Sequence, residues 1–268
     1  MNHDSNRLKK LESLAKKLGQ SWVDNSIING PYASEIPQSR EEAYYVQDNM
    51  ASFIGKDISG WKVGATSQKM RELDGHDDVI PGRIFSPVTY IGNAHNLNFK
   101  NFPKARVETE FAFRLKVDIP IQEKPLIASD LQKKVNMHPA VEIIGNRHEL
   151  HNATKFERSL MTIADNGGGI GFVFGNEFDE WEHLNFKEHF ISLEVDNNKP
   201  AENFFGDMRC QPLEAVADLI NHLSTRKIYL KKGDFISTGA ATVPQSFFKN
   251  SSVIADFGVI GKIKLTFT

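Results

Sequence analysis

The run Arg106-Val107-Glu108-Thr109-Glu110-Phe111-Ala112-Phe113 alternates with a period of two, the pattern of a half-buried β-strand. Val107, Phe111 and Phe113 fall on one face, and Arg106, Glu108 and Glu110 on the other. Two carboxylates on one strand face repel each other unless a cation or water lies between them. A third carboxylate, Glu142, interrupts the apolar, strand-like Pro139-Ala140-Val141-Glu142-Ile143-Ile144, where a lone Glu should not be buried without a partner. Two readings stay open. The three carboxylates can converge on one hard divalent ion such as Mg²⁺, which takes oxygen ligands. Alternatively, Glu108 and Glu110 line a solvated sheet face and Glu142 pairs with Arg106.

The rest of the chain narrows the classes. With 268 residues there is enough chain for a large core. A formal net charge of −2 gives no field of either sign, so neither nucleic acid nor membrane lipid is an expected partner. Cys210 is the only cysteine, which excludes an intramolecular disulfide and argues against a thiolate zinc site. The first residues are polar and charged, with no apolar stretch of a secretory leader, and no run approaches the ~18 apolar residues of a membrane span, so the cytoplasm is the expected location. The 19 phenylalanines suit a β-rich core.

Periodicity divides the chain near Ile58. Leu8, Leu11, Leu14, Ala15 and Leu18 share a helical face. Ser39-Arg40-Glu41-Glu42 has the form of a capping box ahead of the stripe Ala43, Val46, Met50 and Phe53, and Gly55 ends that helix. Residues 1–57 therefore form a helical N-terminal region, and residues 58–268 a β-rich core read as one unit. In that core, Ser59–Gly64 is a strand, and Thr66 or Ser67 caps a short helix through Leu73. Asp74-Gly75-His76-Asp77-Asp78 is a polar loop able to act as a lid. Ser129 is placed to cap a helix over 130–136, Pro212 opens another, and Asp234–Gly239 is a strand running into a turn. Gly167 to Gly175 contains no G-x-G-x-x-G triple, Gly258–Lys262 lacks the first glycine of a P-loop, and His148-Glu149-Leu150-His151 is one residue short of H-E-x-x-H.

Four stretches taken in order carry more. Gly60-Trp61-Lys62-Val63-Gly64-Ala65-Thr66-Ser67, Arg106-Val107-Glu108-Thr109-Glu110, Pro139-Ala140-Val141-Glu142-Ile143 and Ala164-Asp165-Asn166 resemble the 2-keto-4-pentenoate hydratase family. That family, with 4-oxalocrotonate decarboxylase, belongs to the fumarylacetoacetate hydrolase superfamily. The likeness continues through Pro212-Leu213-Glu214-Ala215 and Gly233–Gly239. It implies an α+β protein whose β-rich mixed sandwich or roll is of the fumarylacetoacetate hydrolase C-terminal-domain type. It implies Mg²⁺ or Mn²⁺ held by Glu108, Glu110 and Glu142, Lys62 as the active-site lysine, a small 2-oxo acid substrate, and a homo-oligomer. The activity it implies is a lyase's addition of water to a 2-hydroxy-2,4-dienoate to give a 4-hydroxy-2-oxo acid. Decarboxylation of an oxalocrotonate-like acid, hydrolysis of an acylpyruvate, and a family member without catalysis are the alternatives.

The chemistry of the residues agrees with that resemblance. A 2-oxo acid offers two hard oxygens at chelating distance, and a Lewis acid there stabilises an enolate. Arg106, Thr238 and Gly239 are the expected substrate-binding residues. The sequence also departs from the family. Many relatives carry an Asp in a Gly-x-Leu-Phe-x-Asp-like segment, whereas Gly82-Arg83-Ile84-Phe85-Ser86-Pro87 has no carboxylate, and a Gly-His-Pro segment appears as Cys210-Gln211-Pro212. Asp165, Asp77 and Asp78 are the candidate substitutes, with Asp165 the expected second catalytic residue.

Overall fold

A computed structural model describes residues 5–268. Its elements run α1 (Ser5–Asp24), β1 (Ile28–Asn29), α2 (Arg40–Ile54), β2 (Ile58–Gly64), α3 (Gln68–Asp74), β3 (Ile80–Phe85), β4 (Thr89–Ile91), β5 (Ala94–Leu97), β6 (Arg106–Leu115), β7 (Val135–Ile144) and β8 (His148–Glu149). They continue with α4 (Lys155–Ala164), β9 (Gly169–Phe174), β10 (Ser192–Val195), α5 (Pro212–Thr225), β11 (Phe235–Ala240), β12 (Gln245–Ser246), β13 (Ser252–Asp256) and β14 (Lys262–Phe267).

The main sheet is mixed, in the order β3-β2-β11-β6-β7-β9-β4, with β12 added to β6. A second sheet, β10-β13-β14-β5, packs against it. The alternation read from the sequence explains the layering. Phe111 and Phe113 point into the core between the sheets, with Leu193, Val253, Phe257, Ile263 and Phe267. The apolar stripe of α5 (Val216, Leu219, Ile220, Leu223) joins the same core. Helices α1, α2 and α4 form a second core on the opposite side with Ile80 and Phe85 of β3. The N-terminal helices therefore share their packing with elements from beyond residue 57. No helix among the described residues is long and apolar enough to cross a membrane.

Local signals account for the helix ends. The Ser39 side chain accepts from Glu42 N, and Gly55 closes α2 in the left-handed region. The box does not close as expected: the Glu42 carboxylate accepts from Gln38 N and Arg7 Nε instead. Ser67, not Thr66, caps α3. The helix expected over 130–136 is absent. Two 3-10 turns span Ala128–Asp130 and Gln132–Lys134, and Val135 already pairs with Leu115. Burial of Val135 and Met137 in the sheet outweighs a short helical signal that has little apolar face to bury. The stretch 145–169 holds α4, with Thr154 and Glu157 forming a true capping box.

Candidate metal centre

Strands β6 and β7 are antiparallel neighbours, and Glu108 lies directly opposite Glu142 in their register. Glu110 is two residues along on the same face. The three carboxylates each offer one oxygen, and these oxygens lie within 4.8 Å of one another. All three are buried, Glu142 completely. Neither oxygen of Glu142 has a hydrogen-bond partner among the described residues. The Glu110 carboxylate accepts a hydrogen bond from Ser237 Oγ on β11, a residue absent from the expected site set.

Lys62 arrives from β2, two strands away from β6 across β11. Its Nζ donates to Gly167 O at 2.9 Å and lies 3.6 Å from Glu142 Oε1. The lysine is 7 % exposed, so it meets the carboxylates in a poorly solvated setting where each charge counts for more. Burial alone lowers the Lys62 pKa, but Glu142, Glu110 and Glu108 outweigh it and leave the ammonium harder to deprotonate than an ordinary lysine. Burial, reinforced by Glu110, pushes Glu108 up to about 8 against the opposing charges of Lys62 and Arg106. Burial likewise holds Glu142 well above the carboxylate range. One lysine does not neutralise three buried carboxylates, and orphaned buried oxygens are costly without a cation. The donor set, all oxygen and anionic, is that of a small hard divalent ion.

Glycines make the room. A Cβ at Gly169 would stand 2.6 Å from Glu142 Oε1, so a side chain there would displace the carboxylate. Gly167 has φ +71°, and a Cβ there would stand 3.0 Å from Lys62 Cδ. The glycine run that fails as a nucleotide fingerprint thus serves Glu142 and Lys62. Asn166 holds the loop in place: its Oδ1 accepts from Arg83 N at 2.7 Å and its Nδ2 donates to Arg83 O at 2.8 Å.

The carboxylates open onto a pocket of about 240 Å³, whose lining includes Lys62, Glu108, Glu110, Thr66, Cys210 and Gly239. A second cavity of about 230 Å³ shares Lys62, Glu108 and Ile144 with it and is also lined by Lys104 and Arg106. Gly239 lies in a bulge of β11, where Ser237 opposes Ala112 but Ala240 opposes Glu110. Thr238 does not line the pocket: it is fully buried and its hydroxyl donates to Phe111 O at 2.6 Å. Asp165 lines neither cavity, and its Oδ2 accepts from Arg147 N at 2.6 Å. Asp77 and Asp78 face a different cleft of about 650 Å³, and Asp78 pairs with His222. Cys210, buried at the pocket wall, is pushed up to about 11 by that burial and is therefore a neutral thiol.

No protein-family model matches the chain. Among solved structures, 4-oxalocrotonate decarboxylase from Pseudomonas putida, complexed with magnesium and adipate, superposes with a TM-score of 0.83. The match covers 97 % of this chain and 98 % of that one at 20 % identity. The fold is that of the fumarylacetoacetate hydrolase superfamily. The sequence is similar, over nearly its full length, to curated 2-keto-4-pentenoate hydratases. The one from Burkholderia vietnamiensis is 23 % identical over 262 residues, covering 96 % of this chain and 97 % of the relative. A 2-hydroxyhexa-2,4-dienoate hydratase from Comamonas testosteroni is 27 % identical over 209 residues, 75 % of each chain. A more distant superfamily structure, fumarylpyruvate hydrolase from Pseudomonas aeruginosa in complex with Mn²⁺ and pyruvate, aligns with a TM-score of 0.53 at 14 % identity, over 78 % of this chain and 88 % of that one.

Proposed function

We propose that this chain is a metal-dependent hydratase that adds water to a 2-hydroxy-2,4-dienoate to give a 4-hydroxy-2-oxo acid. The observation that carries the reading is the convergence of Glu108, Glu110 and Glu142 beside Lys62 at the edge of a small pocket. The similarity to named dienoate hydratases supports it. Glu108, Glu110 and Glu142 would hold Mg²⁺ or Mn²⁺, which when bound supplies Lewis-acid stabilisation of negative charge on the 2-oxo oxygen.

The residues of the chain then do the following. Gly239 and the bulge around it leave space for the substrate carboxylate, and Arg106 and Lys104 give the neighbouring cavity a positive wall. The dienol loses its O–H proton and gains one at C5, which leaves C3=C4 conjugated with the 2-oxo group. Lys62, its ammonium held by Gly167 O, would give its proton to C5 and be reprotonated from the dienol O–H. Water then bonds to C4, the π electrons move toward the 2-oxo group, and C3 takes up a proton. The homo-oligomer that the resemblance implies belongs to the same reading, and sedimentation would test it directly.

A second reading, decarboxylation of an oxalocrotonate-like acid, is favoured by one feature: the segment from Gly82 to Pro87 brings no carboxylate to position a water. Both reactions pass through the same enolate. Incubation with 2-hydroxypenta-2,4-dienoate and Mg²⁺ separates them. Loss of the dienol absorbance with formation of 4-hydroxy-2-oxopentanoate supports hydration. No turnover of that substrate, with CO₂ released from an oxalocrotonate, would replace it by decarboxylation.

A further inference from the structure

Hydration needs a group that removes a proton from the attacking water, and the strands bring none. Glu108, Glu110 and Glu142 are committed as ligands, and Asp165, Asp77 and Asp78 face elsewhere. The metal pocket has one more carboxylate. Asp74, the last residue of α3, lines it together with Lys62. Ser67, Met70 and Asp74 follow one another at spacings of three and four, so one face of α3 looks into the pocket. The Asp74 carboxylate has no hydrogen bond or salt bridge among the described residues, unlike the nearby Asp78.

The helix that carries Asp74 is built to be placed rather than packed. None of its residues is buried. It is bounded by two left-handed residues, Ala65 at φ 56° and Gly75 at φ 77°. Beyond it, His76 is tied to α4 through Ser159 Oγ, and Lys155 Nζ donates to Glu72 O at 2.7 Å. The carboxylate therefore sits at the pocket lip on a short element anchored at its far end.

We propose that Asp74 is the general base of the hydration step, a role that rests on the hydratase reading above. The water O–H proton passes to the Asp74 carboxylate as the water oxygen bonds to C4 and the C3=C4 pair becomes the enolate. The enolate then takes a proton at C3, and Asp74 returns its proton to solvent or to that carbon. Ketonisation, the earlier step, does not involve Asp74.

The test is single-turnover analysis of wild type, Asp74→Asn and Asp77→Asn with 2-hydroxypenta-2,4-dienoate and Mg²⁺, with products resolved by NMR. For Asp74→Asn we expect ketonisation at the wild-type rate, accumulation of the unsaturated 2-oxopent-3-enoate, and hydration slowed 10²-fold or more. Asp77→Asn should match wild type, and Mg²⁺ and oxalate affinities measured by calorimetry should be unchanged in both variants. Hydration at the wild-type rate in Asp74→Asn would overturn the role. So would equal slowing of both steps, since Asp74 would then only shape the pocket. Failure of the wild-type protein to hydrate the diene would count against the functional reading instead.

Discussion

Two clusters of buried charge adjoin the loop 165–169, and they differ in what they border. Glu108, Glu110 and Lys62 line an open pocket, and Glu142, whose oxygen lies within reach of theirs, leaves both its carboxylate oxygens unpartnered. Arg147, His148 and Asp165 are as deeply buried, but they line neither cavity of the site and sit beneath the helical layer. Arg147 O accepts from Ile28 N and Ser21 Oγ, and Arg147 N donates to Asp165. Burial lowers His148 to about 4 and raises Asp165 to about 7, so this second cluster shifts toward neutral forms and acts as a joint between layers. Glu108 and Glu142 of the first cluster shift the same way, but they stand beside a pocket from which a cation can displace their protons. A perturbed carboxylate marks chemistry only where a cavity meets it.

Removing a charge from each cluster should separate them. Glu142→Gln takes away a ligand and the charge surplus. It should abolish measurable Mg²⁺ binding and turnover while leaving the metal-free protein at least as heat-stable as wild type, as read by calorimetry and thermal melting. A melting point lowered by many degrees would instead make Glu142 a structural residue. Lys62→Ala should lower turnover about 10²-fold or more with Mg²⁺ affinity retained.

Asp165→Ala should do the reverse. It leaves the buried Arg147 N–H without an acceptor, at a cost of about 1–3 kcal/mol in denaturant unfolding, with Mg²⁺ affinity unchanged. A tenfold loss of Mg²⁺ affinity in that variant would join the two clusters and break the comparison.

The clusters also differ in how pH reaches them. Glu108, held up at about 8 when folded, binds more protons in the folded chain than in the unfolded chain between its usual 4.5 and 8. Metal-free stability should therefore fall as pH rises through that window. Raised Lys62 acts above it, because its contribution is lost only once pH exceeds the folded pKa. Mg²⁺ competes with the protons, so the gain in melting temperature on adding Mg²⁺ should grow from pH 6 to 8.5. A gain that shrinks with pH would contradict the carboxylate assignment. The smallest effect is remote: Ser39→Ala, which removes only the α2 cap, should cost about 1 kcal/mol without altering metal binding.

The sequence made the first cluster legible because strand periodicity fixes which face a side chain takes, and Glu108, Glu110 and Phe111 follow it. The register that sets Glu142 opposite Glu108 joins strands whose facing glutamates are 34 positions apart, and the resemblance rather than the spacing paired them. Ser237 and Asp74 were not legible. Ser237 reaches Glu110 through the β11–β6 pairing, and Asp74 joins the pocket lining through the packing of α3 beside it, both of which are tertiary facts. Thr238 and Asp165 were selected for their neighbours, and the structure turns both side chains to backbone partners. The helix over 130–136 failed because long-range pairing of Val135 with Leu115 outweighed a local cap.

The central claim is that the three glutamates form one cation site. Crystals grown with Mn²⁺ and oxalate, measured at the manganese absorption edge, test it directly. The account predicts a single strong anomalous peak bonded to one oxygen each of Glu108, Glu110 and Glu142, at about 2.0–2.2 Å, with oxalate completing its shell on the pocket side. An absent peak, or one that omits Glu142, would contradict it.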